Sequence, residues 1–455
     1  MARPHKQDQT KGIIEATNLT GKQYVTRTVR IQLNVTDDES NSFDELAEVC
    51  NKVWNLIAQV AHKENIKGYR ALYDRCWEEA RKFGIPAGIL QAIIKNVATS
   101  AKSASQSKKS KKNGYTVPEM KKKSISVPFS QRAISYNPKT ELLTFSQLES
   151  HKRFHKDNVT LPKYFSNKYN IQKTTGGVLK KEKGKWILSL NVRCDLDRVI
   201  DFDALLDGEV IGIDRGFYNL FYASNGDYYS TRKLRGAARR LEYNKRKCKQ
   251  KGTHSARRAM RRQKGKWSRF MLDTIRRCVD KILDNDDLKV IVMENLSGVN
   301  RSKKEQFSNG SYRGKKTNRK THNQWGFSEF GELLKTEAYR KGVLVVEVDP
   351  SFTSQECSAC HEVSKDARNK SHYHCPSCGF SALADDNASR VIRDRFWEAV
   401  EAGELSRVER CLSEGKSFRQ VLIDERVECK RVAREDLLGV LRAVSVLKFV
   451  NMEEC

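Results

Sequence analysis

The chain has 455 residues, with 85 Lys and Arg against 56 Asp and Glu, for a formal net charge of +29. That length holds about three domains, and so large a positive excess points to a polyanion, nucleic acid ahead of an anionic membrane surface. The opening MARPHKQDQTKG lacks an apolar signal core and runs such as VIVM and VLVV are too short to cross a bilayer, which predicts a cytoplasmic, nucleoid-associated protein with no membrane partner.

In chain order, Val25, Arg27, Val29, Ile31, Leu33 and Val35 alternate as a half-buried strand does. Phe43, Leu46, Cys50, Val53, Ile57 and Val60 then recur at helical spacing, with Ser40 to Ser42 as candidate caps. More helix is predicted, broken at Gly84 and Pro86. From Ala98 to Ser126 the apolar signal gives way to SAKSASQSKKSKKNG and MKKKS, a basic connection or phosphate-tracking arm. Leu142 to Phe145 and GGVLKKEKGKWILSLNV restore strands, the latter a hairpin turning near Gly184 with Trp186, Leu188, Leu190 and Val192 on one face. Helices therefore interrupt a small β domain.

A second unit begins near Gly208. VIGIDRGFYNLFYASNGDYYS predicts two strands joined at Asn225-Gly226. Residues 232 to 285 read as helical and nearly free of acid; there Arg257, Arg258, Arg261 and Arg262 form two pairs one turn apart and are the candidate phosphate contacts. DLKVIVMEN is an apolar strand ending in Glu294. A basic loop, RSKKEQFSNGSYRGKKTNRKTHN, leads to a helix from about Ser328 to Lys341 and a strand from Val343. After Val400 the chain reads as charge-mixed helix, and no chemistry attaches to it.

Of twelve cysteines, eight are scattered. The others, Cys357, Cys360, Cys375 and Cys378, form two CxxC pairs separated by residues 361 to 374. Such pairs make knuckles whose four thiolates suit one tetrahedral Zn²⁺. A closed thiolate set makes that zinc structural, although His361, His372 and His374 could each replace a cysteine.

Asp214 ends the strand of IGIDRG, with Gly212 and Gly216 beside it for close backbone approach, and Glu294 ends the strand of VIVMEN. Asp385 or Asp386 opens a helix in ALADDNASRV. Singly, each acid is more simply a cap or turn residue. Together, acids at the ends of two neighbouring buried strands repel unless cations join them. Two Mg²⁺ about 4 Å apart would do so and activate water for attack on a phosphodiester. The element order is that of an α/β RNase H-like fold.

IGIDRGFYNL, VIVMENLSGV, QWGFSEF, VEVDPSFTSQECSAC, CPSCGF and ADDNAS together resemble, in order, the RuvC-type nuclease of TnpB proteins and the compact type V CRISPR effectors. The resemblance covers roughly residues 208 to 400. It implies catalytic, Mg²⁺-binding roles for Asp214, Glu294 and Asp385, with Asp386 at a variable position, Asn387 matching, and Zn²⁺ on the four cysteines. Arg215 departs from the family, where many relatives carry an apolar residue; it could bind phosphate or pair with an acid. The implied organisation is a flexible tail over 1–22, a β-barrel-like wedge domain over 23–38 and 115–205, and a helical recognition domain over 39–114. A RuvC-like nuclease domain over 206–352 and 381–455 and a zinc ribbon over 353–380 complete it. The implied function is RNA-guided cleavage of double-stranded DNA beside a short flanking motif, at one Mg²⁺-dependent site and with a guide RNA as partner. The alternatives are an RNA-guided repressor with an inert site and a guide-independent nuclease on the same fold. The tail after Val400 could pack on the nuclease domain, contact RNA or form a homodimer interface.

Overall fold

The computed structural model describes residues 14–16, 22–106, 126–148, 153–216, 218–296, 326–403, 405–416, 420–421 and 424. The basic stretch at 107–125, the loop at 301–323 and the tail beyond 424 lie outside these. The chain divides into two units, Tyr24–Asp195, and Leu196–Cys455 together with Met1–Gln23. The first element, β1 (Ile14–Ala16), belongs to the latter.

The unit Tyr24–Asp195 contains β2 (Val25–Leu33), α1 (Asp37–Lys63), α2 (Tyr69–Arg81), α3 (Ala87–Gln106), β3 (Ser126–Ser130), β4 (Ile134–Asn137), β5 (Leu142–Ser146), β6 (Arg153–Lys156), α4 (Lys163–Ser166), β7 (Ile171–Glu182) and β8 (Lys185–Cys194). It forms two antiparallel sheets, ordered β2-β8-β7-β3 and β4-β5-β6. Trp186, Leu188, Leu190 and Val192 are all buried, as their alternation predicts. Phe43 of α1 joins helix to sheet, its ring centroid 5.0 Å from that of Phe154 and 5.4 Å from those of Phe145 and Trp186. Two expectations change. The cap of α1 is Thr36 rather than Ser40 to Ser42: its hydroxyl accepts from the Glu39 amide and the Glu39 carboxylate accepts from the Thr36 amide. That reciprocal box satisfies two otherwise orphaned amides, so the helix starts inside the polar TDDES segment. Similarly α3 runs on to Gln106, because Ala98 and Ala101 still bury against the core while polar residues face out.

The other unit contains β9 (Glu209–Asp214), β10 (Asn219–Ala223), β11 (Tyr228–Ser230), α5 (Arg232–Lys251), α6 (His254–Ile282), β12 (Leu288–Glu294), α7 (Phe327–Arg340), β13 (Leu344–Val348), β14 (Arg368–Asn369), β15 (His372–His374), β16 (Ser381–Leu383), α8 (Ala384–Glu401) and α9 (Leu405–Ser413). Its main sheet runs β1-β13-β12-β9-β10-β11. β12 lies parallel to both β9 and β13, whereas β10 is antiparallel to β9 and β11. That mixed order is the RNase H-like layout. Where two strands were expected between residues 210 and 230 there are three. The chain turns after Asp214, where the Gly216 amide donates to the Asn219 carbonyl at 3.1 Å, before the Asn225-Gly226 hairpin. Nor is the region 1–22 all tail: β1 pairs antiparallel with β13. Every residue of β13 is buried, and a bare edge there would leave its amides and carbonyls unpaired.

Alternate residues of these strands feed two cores. Val210, Val290, Val292 and Val346 pack with Ile392 and Phe396 of α8. Ile211, Ile213, Ile291 and Val345 pack with Ile275 and Val279 of α6 and Phe330 and Leu334 of α7. Gly212 faces α8, and a Cβ there would come within 2.0 Å of the Ser389 carbonyl and 2.5 Å of the Arg393 amide. Backbone cannot yield as a side chain can. Gly212→Ala is therefore expected to destabilise this unit by about 3 kcal/mol or more, read as a lowered melting temperature; a change under about 1 kcal/mol would show that α8 does not seat on Gly212. No helix among the described residues is long and apolar enough to cross a membrane.

Candidate active site and zinc centre

Because β9 and β12 run parallel in register, with Ile213 opposite Met293, their terminal acids Asp214 and Glu294 emerge side by side at the carboxyl ends of the strands. Ligands of open α/β sheets bind at that end. α8 packs across the same strands and carries Asp385 and Asp386 in its first turn. The two point apart, as successive helical residues must by about 100°. Asp385 accepts from Asn219 Nδ2 at 2.9 Å and lies 3.5 Å from Arg368 Nη2, whereas Asp386 pairs with Arg390 at 3.2 Å. Thr353 donates its hydroxyl to the Glu294 carboxylate, and the Arg215 guanidinium donates to the Glu294 carbonyl. Arg215 was expected to bind phosphate or pair with an acid; its guanidinium instead braces the backbone carbonyl of Glu294, and burial draws it below the usual value. Arg368, Asn219 and Thr353 escaped the sequence reading. Their side chains reach the acids across the fold, and no periodicity marks such contacts.

Burial first, then the charges of Glu294 and Asp385, push the Asp214 carboxyl up to about 7, against the opposing pull of Arg368 and Arg215. The acids thus crowd one another, although among the described residues they do not form a group whose ligand atoms all lie within 4.8 Å. The raised value sets a pH dependence. Between the ordinary 3.8 and about 7 the folded chain keeps a proton that the unfolded chain releases, so folding stability falls as pH rises through that window. In chelator, Asp214→Asn is expected to match wild type near pH 4 and to be more stable at pH 8. The gain is on the order of 1–3 kcal/mol once screening of a half-buried group is allowed for. Equal melting at both pH values would contradict the crowding.

The four cysteines converge as their spacing predicts. Their sulfurs lie within 4.8 Å of one another, with Cys357 and Cys378 at 3.7 Å and Cys360 and Cys375 at 3.6 Å. A Zn–S bond of about 2.3 Å sets a tetrahedral S···S edge of about 3.8 Å, so the thiol set fits zinc. The Cys378 amide, opposed by burial and helped by the Ser377 amide, draws the Cys375 thiol down to about 6, whereas burial raises that of Cys357. None of the three histidines joins this set: His361 faces Glu356, His374 Nδ1 bonds the Ser381 hydroxyl at 2.8 Å, and His372 is exposed in β15. Cys357, Tyr373 and Cys375 pack with Ala384, the residue before Asp385. Asn387, fully buried, donates to the Glu356 carbonyl at 2.7 Å and accepts from the Ser358 amide at 2.9 Å. The ribbon and the first turn of α8 are therefore held as one piece.

Arg257, Arg258, Arg261 and Arg262 are all exposed on α6. α5 beside it holds a single acid, Glu242, in twenty residues, and the two helices join at Gly252 in the left-handed region, φ 64°. A Leu234, Ala238, Trp267 and Phe270 cluster packs them together, which leaves a cationic outer face.

An RNase H-like sheet with strand-end acids, joined to a four-cysteine ribbon, defines a nuclease-like class of fold. Within it, residues 327–392 match the Cas12f1-like, TNB domain. The chain is 24% identical over 290 residues to the CRISPR-associated endodeoxyribonuclease Cas12f1 of an uncultured archaeon, covering 58% of this chain and 53% of that protein. It is 23% identical over 269 residues to the putative RNA-guided DNA endonuclease InsQ of Escherichia coli (strain K12), covering 54% of this chain and 64% of that protein. The chain thus spans between about half and two thirds of the length of these relatives. In fold it resembles the Cas12f1 chain of a cryo-EM complex with sgRNA and target DNA, with a TM-score of 0.54 at 16% identity, over 82% of this chain and 99% of that one. The resemblance to TnpB proteins and compact type V effectors holds in both sequence and fold.

Proposed function

We propose that the chain is an RNA-guided DNA endonuclease that cleaves double-stranded DNA beside a short flanking motif at a single RuvC-like site. The observation that carries this reading is the crowding of Asp214, Glu294 and Asp385 at one end of the sheet in a chain of net charge +29. Oxygen donors in that arrangement fit hard divalent cations. Two Mg²⁺ held there would activate a water and offset charge on the scissile phosphate. The chain's own residues do the rest. Asp214 and Glu294 hold the ions from rigid strand ends, Asp385 closes the set from α8, and Thr353 and Arg215 fix Glu294. Asp385, now 3.5 Å from Arg368 Nη2, would hold the ions in place of part of that pairing. The cysteines hold one structural zinc, and Arg257, Arg258, Arg261 and Arg262 contact phosphates without reading sequence.

The domain roles belong to the same reading. Residues 23–38 and 115–205 form the wedge domain, 39–114 the helical recognition domain, 206–352 with 381–455 the nuclease and 353–380 the ribbon. Base pairing with the guide reads sequence while the protein grips heteroduplex by its backbone. The test is to purify the chain expressed with its native flanking DNA, sequence the RNA that copurifies, and assay cleavage of DNA matching that RNA. A defined RNA and Mg²⁺-dependent cutting that follows its sequence are expected. Cutting without RNA would favour a guide-independent nuclease, and RNA-dependent binding without cutting a repressor.

A further inference from the structure

Beside the first cysteine knuckle lies another group of ligating side chains that none of the chemistry above uses. Glu356 immediately precedes Cys357, His361 immediately follows Cys360, and Glu398 projects from the second half of α8. Their nearest ligand atoms all lie within 4.8 Å of one another. The Glu356 side chain is 1% exposed. Its Oε2 accepts from Arg395 Nη2 at 3.0 Å, and its Oε1 lies 3.5 Å from His361 Nδ1. Oε2 of Glu398 is buried with no hydrogen-bond partner. Water is lost on burial, so an unmatched carboxylate oxygen costs several kcal/mol. Arg395 also donates to the Asp349 and Ser351 carbonyls. The unpartnered Glu398 oxygen lies in a group that also offers Glu356 and His361 as ligands, and a divalent cation there would satisfy it.

We propose that Glu356, His361 and Glu398 form a second transition-metal site, separate from the cysteine cluster and from the strand-end acids. One imidazole nitrogen and two carboxylate oxygens suit Zn²⁺ or a similar first-row divalent ion, with a position left for water. An imidazole ligand disfavours Mg²⁺, which prefers oxygen. His361, 49% exposed, provides the way in from solvent. A metal here links the knuckle directly to the second half of α8, as Asn387 links it to the first turn, and so locks both ends of the helix that carries Asp385 to the ribbon.

The site is tested on the full chain, equilibrated with Zn²⁺ in excess Mg²⁺, desalted and assayed for zinc by mass spectrometry. About two zinc per chain are expected in wild type and about one in Glu398→Gln and His361→Gln. After Co²⁺ substitution both variants should keep the thiolate-to-metal charge-transfer band of the cysteine site. If Glu398→Gln fails to fold, His361→Gln, at an exposed position, decides alone. About one zinc in wild type, or about two in both variants, would overturn the proposal.

Discussion

Asp385→Ala is expected to lower DNA cleavage about a thousandfold or more, the kinetic equivalent of several kcal/mol of charge stabilisation at the reacting phosphate. Target binding should persist, because the proposed phosphate contacts, Arg257, Arg258, Arg261 and Arg262, are left unchanged. Asp386→Ala should change the rate by no more than about twofold, since it removes only an i,i+4 pair with Arg390 worth about 0.3–0.5 kcal/mol. The contrast follows from geometry: the charge of Asp385 acts on Asp214, and that of Asp386 is directed at Arg390 on its own helix. Single-turnover cleavage by guide-loaded protein measures both. The reverse order of damage would mean that the wrong aspartate has been assigned to the ions. Asp214→Ala and Glu294→Ala should each match Asp385→Ala.

Cys375→Ser should remove one zinc per chain and with it much of the apparent ~10–16 kcal/mol that a structural zinc contributes to folding a small module. The ribbon has little else to hold it, since its own core is Cys357, Ala367, Tyr373, Cys375 and Ala384. Two of these five are the thiols themselves. A lower melting temperature and faster proteolysis within residues 353–380 are the expected readouts. Cleavage should fall too, and excess Mg²⁺ should not rescue it, because Asp385 is placed by a helix turn that packs on the ribbon. Unchanged zinc content and melting temperature would sink the ribbon reading.

Local patterns exposed most elements because they depend on neighbours a few residues away. The alternation at Trp186 to Val192 and the apolar runs before Asp214 and Glu294 are period-two signals that burial then follows. The start of α1 misled because Thr36 and Glu39 sit in a polar stretch without apolar periodicity, so only the reciprocal cap marks the boundary. The turn after Asp214 carries no Asn-Gly-type hairpin signal, and the three-residue β1 is too short for any periodicity.

For the candidate site the division is sharper. The sequence by itself determined that four thiols would meet, because paired CxxC knuckles are local geometry, and that acids would stand at the ends of two buried strands. Only tertiary structure decided that those strands are parallel neighbours in register, which way each aspartate of the doublet points, and that Asn219, Arg368 and Thr353 reach the acids. It alone decided that Glu356, His361 and Glu398 meet. The reason is physical: the contacts to the acids join residues 17 to 166 positions apart, and those of Asp385 depend on how α8 seats on the bare backbone of Gly212, a packing event that no local spacing encodes.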